Sequence, residues 1–180
     1  MRKLLLSAMA LMLTASINAQ VATPAPSPSA SMEQVVGLTD VSLEYSRPAM
    51  RGRTIMGGLV PYGKVWRTGA NEATEVKFYQ DILFGDTKVS AGTYVLLTIP
   101  GEKEWEVILS SNVDVWGAFQ YNPVFNVASI TVPSNKAQSV EIFSIAFKEK
   151  KDKINMVLAW DSTRVKIPIE FKIKEQYAKL

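Results

Sequence analysis

The 180-residue chain contains no cysteine and no histidine. Without cysteine there is no disulfide to hold the fold and no thiol to carry a lipid, so stability must come from an apolar core. The two absences together exclude a Ser-His-Asp triad, a cysteine nucleophile and zinc sites built from imidazole or thiolate. No phosphate-loop or dinucleotide fingerprint is present, and no metal or cofactor is implied. Apolar runs are short as well. The longest, Leu4 to Ala15, falls below the roughly 18 residues that span a bilayer, so no integral membrane segment is expected. Carboxylate, lysine, tyrosine, serine and threonine chemistry remains.

What is present begins with a targeting pattern. Arg2 and Lys3 precede the apolar stretch, and Ser16 to Gln20 follow it with small Ala19 at the expected cut, which predicts export to the periplasm or beyond the cell. Removal of residues 1–19 takes two of the 20 basic residues, leaving 18 against 17 acidic ones, a net +1. So slight an excess argues against general affinity for nucleic acid or a membrane surface. Residues 20–32 are rich in Ala, Pro and Ser and read as a disordered spacer, which leaves 33–175 as a single domain. Hydrophobic residues at 47% and charged residues at 21% suit a soluble globular chain.

Within that domain the dominant period is two. Val165, Ile167, Ile169, Phe171 and Ile173 alternate with polar residues or Pro168, which suggests an edge strand because proline cannot donate a ladder hydrogen bond. Ile154, Met156, Leu158 and Trp160 alternate likewise, and Asp161-Ser162-Thr163 between them reads as a hairpin turn. Further strands are predicted at Val41 to Arg47, Thr74 to Phe84, Thr93 to Ile99, Trp105 to Ser110, Val113 to Tyr121, Ser129 to Val132 and Val140 to Lys148. Turn signals stand at Gly85-Asp86, Ala91-Gly92, Pro100-Gly101 and Pro133-Ser134-Asn135. Tyr94 to Leu97 is apolar throughout, as for a strand covered on both faces. The pattern predicts an all-β domain, a single antiparallel β-sandwich of jelly-roll or immunoglobulin-like type, with a barrel as the alternative.

The candidate site lies in the one long irregular stretch, Pro48 to Lys64, and the turn that follows it. Between Glu44 and Glu72 there is no acidic residue, yet Arg47, Arg51, Arg53, Lys64 and Arg67 all fall there. Such a loop can hold an anion with guanidinium and backbone N–H groups; that its cations pair with carboxylates elsewhere and brace the loop is the favoured reading. Arg47, Arg53, Trp66, Arg67 and Asn71 are the candidate ligand-binding residues. Glu72, Asp86 and Asp114 are possible acid/base carboxylates, with Glu72 and Asp114 the catalytic candidates. Trp116, Phe119 and Tyr121 suit stacking on a sugar or peptide if exposed, although strand aromatics ordinarily bury, so core is the favoured reading.

The runs RPAMRGRTIMGGLVPYGKVWRTGANEAT (Arg47 to Thr74), AGTYVLLTIPG (Ala91 to Gly101), WEVILS, WGAFQY and LAWDSTRVKIPI (Leu158 to Ile169) resemble a family of exported bacterial proteins catalogued as a domain of unknown function, numbered twenty-nine eleven. The resemblance implies a signal peptide and a mostly-β domain, and marks the turn through Arg67, Gly69, Asn71 and Glu72 as the family's hallmark. It assigns no ligand. The expected function is an exported module for a small anionic or carbohydrate ligand. The alternatives are a hydrolase of glycan or ester using Glu72 or Asp114 with Arg67, and an assembly protein using an edge strand or the aromatics near Trp116.

Overall fold

A computed structural model describes residues 25–113, 115–150 and 153–171. The expected signal segment, Asp114 and Ile173 lie outside these residues. Nine strands are present: β1 (Ser29–Val36), β2 (Thr39–Ser46), β3 (Thr74–Phe78), β4 (Ile82–Phe84), β5 (Thr87–Val89), β6 (Gly92–Pro100), β7 (Glu104–Ser110), β8 (Asn126–Lys150) and β9 (Lys153–Phe171). They form one open antiparallel sheet in the order β1-β2-β3-β6-β7-β8-β9-β4-β5. Among the described residues there is no α-helix, and no helix long and apolar enough to cross a membrane.

The sheet closes over itself because β8 changes partner. Its first part pairs with β7 as far as Pro133↔Glu104, and from Ser134↔Val165 it pairs with β9. Pro133-Ser134-Asn135 is therefore no turn but the crossing point between two ladders, where a missing proline N–H costs little. Side chains from both halves meet in one core. Tyr45 of β2 packs edge-on against Phe143 of β8 at 5.8 Å, and its hydroxyl accepts the Ile145 N–H. Phe78 of β3 meets Phe171 of β9 at 6.5 Å. The result is an all-β, sandwich-like fold.

The proposed hairpin at Asp161 is corrected too. β9 runs unbroken from Lys153 to Phe171, and its buried positions change from even numbers (154, 156, 158, 160) to odd ones (163, 165, 167, 169, 171). Asp161, at φ 46°, marks that slip, while opposite it β8 advances twice as many residues as β9 between Lys136 and Ser144. Bulges of this kind bend a strand and keep its apolar set inward. The bulged stretch also offers backbone groups on its outer side. Met50 N–H donates to Glu141 O and Phe143 N–H to Pro48 O, which docks the start of the long loop as an extra rung. Pro168 sits between the ladder ending at Val165 and the one starting at Ile169, on an interior strand rather than an edge.

Three further expectations differ. Thr74 to Phe84 is two strands in distant places, β3 beside β6 and β4 beside β9. β1 starts at Ser29, inside the stretch read as spacer, because Ala30 and Met32 pack partly against the core while β2 supplies the ladder. Val113 to Tyr121 is not a strand: it includes a 3-10 turn, Ala118–Gln120. Val113, Val115 and Tyr121 instead cover the outer face of β6 and β7, packing with Val95, Leu97 and Ile108. That cover explains why Tyr94 to Leu97 is apolar throughout.

Candidate functional site

The turn from Arg67 to Ala73 is an excursion from a ladder. Trp66 exchanges both backbone hydrogen bonds with Thr98 of β6, and Thr74 resumes pairing opposite Leu96. Between these points Thr68 and Asn71 adopt left-handed backbone, φ 55° and 58°. For β-branched Thr68 that conformation costs about 1–3 kcal/mol and persists only where the surroundings impose it. Here they do: Thr68 is fully buried, its hydroxyl meets that of Thr98 at 3.1 Å, and its carbonyl accepts the Thr74 hydroxyl at 2.8 Å. Sequence reasoning missed Thr68, and no signal in the chain marks it, since threonine is a poor guess for left-handed backbone.

Two cavities flank this turn. One, of about 370 Å³, is walled by the long loop, the start of the turn and Ala118, and its lining includes Arg53, Lys64 and Arg67 with Leu59, Val60, Trp66 and Trp160 and, among the described residues, no carboxylate. The other, of about 400 Å³, is lined by Glu44, Glu72 and Glu75 with Tyr45, Ala73, Val115 and Trp116. Arg67 and Glu72 thus belong to different cavities.

The candidate residues divide by what they touch. Arg53 Nε donates to Met50 O at 2.9 Å and Nη2 to Ala49 O at 2.7 Å, so its guanidinium braces the loop through carbonyls rather than carboxylates. Trp66 stacks on Trp160 at 5.8 Å, meets Trp105 and Phe143 edge-on, and donates Nε1 to Gly69 O. It is the floor of the basic cavity as well as part of the core. Asn71 Nδ2 donates to Ser27 O and Ser46 Oγ, both at 3.1 Å, fastening the chain just before β1; it is not on the cavity's lining. Arg47 does not line it either, and its Nε is buried without a hydrogen-bond partner. Arg67 does line it, and its Nε is likewise buried and unpartnered. Glu72 is exposed, Asp86 occupies the β4–β5 turn away from both cavities, and Asp114 lies outside the described residues.

The aromatic segment also departs from expectation. Trp116 is 54% and Phe119 77% exposed, because the chain there turns away from the sheet instead of running as a strand. Gly117 between them is buried, and a Cβ built on it would stand 2.8 Å from Arg67 Nη1. A side chain at this position would have to displace the guanidinium. Among the described residues no group of three or more carboxylates is arranged to hold a metal ion. Tyr94, remote from the basic cavity, donates its hydroxyl to Ser90 O, and burial with the nearby Asp81 charge pushes its phenol above the usual range.

These features define a class: an antiparallel β domain in which a long basic loop and a buried, strained turn wall a cation-lined cavity. Residues 27–169 match the family described as Protein of unknown function (DUF2911), and the chain belongs to that family. No curated protein and no solved structure matches it.

Proposed function

We propose that this chain is an exported binding module whose basic cavity takes a small anionic ligand. One observation carries the reading: among the described residues the cavity's lining holds Arg53, Lys64 and Arg67 and no acid, and the Arg67 side chain has no hydrogen-bond or ion-pair partner. A guanidinium that lines a cavity with no carboxylate to pair it can hold a bound anion through charge-assisted hydrogen bonds. The long loop is already docked on β8 and the turn is locked by buried threonines, so little ordering remains to oppose binding. Export rests on the Arg2-Lys3 start and the apolar stretch behind it.

The test is a thermal-shift series on the purified chain with chloride, sulfate, phosphate and small carboxylates at constant ionic strength, repeated on Arg67→Ala. Stabilisation by at least one anion, lost in the variant, is expected. Equal shifts in both proteins would place the anion elsewhere and end the reading.

A further inference from the structure

Resting on that reading, we infer that the basic cavity is built for a singly charged organic acid with a compact apolar body, an aromatic or branched carboxylate, rather than for an inorganic anion. The first argument is size. At about 370 Å³ the space equals the liquid volume of roughly a dozen waters, whereas a sulfate or phosphate would occupy a small part of it. The second is the lining. Leu59, Val60, Val65 and Trp66 give the interior an apolar wall that a bare oxyanion would leave in contact with water, and burying such surface favours an apolar ligand body.

The third argument is the donors free to act. Arg53 has two of its nitrogens already committed to the Met50 and Ala49 carbonyls, and Lys64 is exposed to solvent on the rim. Among the described residues, Arg67 is the single guanidinium in the lining whose side chain has no hydrogen-bond or ion-pair partner. One planar fork matches one carboxylate in a bidentate pair. A dianion would need a second unspent guanidinium.

Gly117 is then a positioning residue. A Cβ added to this buried residue would stand 2.8 Å from Arg67 Nη1, so the smallest added side chain must push the guanidinium aside. Because the clashing atom is the far end of a flexible side chain, Gly117→Ala leaves the fold intact while moving the group that reads the carboxylate.

The experiment measures Kd by quenching of tryptophan fluorescence, with Trp66 in the wall as reporter, for phenylacetate, its neutral amide phenylacetamide, inorganic sulfate, and a dipeptide ending in phenylalanine. Phenylacetate is expected to bind at least about ten-fold tighter than its amide and than sulfate. Arg67→Ala and Gly117→Ala should each lose about ten-fold for the acid with an unchanged melting temperature, and Arg67→Lys should recover part of the loss. A dipeptide as tight as phenylacetate would keep the carboxylate chemistry and identify a chain terminus as its source. Sulfate binding as tightly as phenylacetate, with both lost in Arg67→Ala, would overturn the organic-acid inference and leave the anion site standing. No binding by any probe would overturn both.

Discussion

The two cavities on either side of the Arg67 to Ala73 turn carry opposite charge for different reasons. Glu44 and Glu75 are direct cross-strand partners on β2 and β3, side chains that alternation alone places on the outer face of a half-buried sheet. Their charges are what a solvated strand face ordinarily carries, and opposing like charges there are mildly destabilising. Arg53, Lys64 and Arg67 come from loops, where no alternation dictates a cation. They surround an apolar floor, and one of them is left with a buried unmet donor. The comparison teaches that charge needing no ligand to explain it lies on the acidic side, and charge the fold does not account for lies on the basic side.

The strongest way to break the comparison is through the floor. Trp66→Ala removes an indole wedged among Trp105, Phe143 and Trp160, and should cost about 3 kcal/mol in denaturant unfolding. A loss under about 1 kcal/mol would mean the ring is not core at all, and the cavity would lose its rigid base. Next is the turn that separates the cavities. Asn71→Ala should cost about 2 kcal/mol, since it loses two hydrogen bonds and puts alanine in left-handed backbone, whereas Asn71→Gly, free of the second penalty, should cost about half that. Equal losses would show that the side-chain bonds to Ser27 and Ser46, not the backbone, set the turn's stability.

How much of this was legible depends on what a pattern can encode. Alternation located β2, whose inward set is regular, while apolar runs bounded by turn signals located β6 and β7, which are covered on both faces. The acid-free stretch between Glu44 and Glu72 pointed to the basic cavity, because a run of like charge with glycines cannot hide in a core. Asp161-Ser162-Thr163 misled because a bulge and a turn use the same small polar residues. The slip from even to odd apolar positions does not separate the two, because a hairpin permits that slip as well. Trp116 and Phe119 misled because β-propensity measures fit to a sheet surface, and here the chain leaves the sheet. Arg47 and Asn71 were grouped with Arg53 and Arg67 on proximity in sequence. Whether a guanidinium or amide faces a cavity or a neighbouring backbone depends on β1 and the chain before it, which pairing rather than composition puts in place.

The remaining predictions concern the charges themselves. Arg67→Ala should leave stability within about 1 kcal/mol of the parent, or raise it, because the deleted group has a buried unmet donor and, among the described residues, no ion pair to lose. A larger loss would reveal a bracing role and shift the weight of the basic side from ligand to fold. The smallest effect belongs to the other cavity. Glu44→Gln relieves repulsion with Glu75 and should raise stability by about 0.2–1 kcal/mol at low salt, with the gain fading as ionic strength approaches 1 M and the screening length falls to about 3 Å. The salt dependence carries the argument: a gain that survives screening would come from packing or hydrogen bonding, not from charge. A loss instead of a gain would mean that the carboxylates are held by a cation. The acidic cavity would then be as purposeful as the basic one, and the distinction drawn between them would fail.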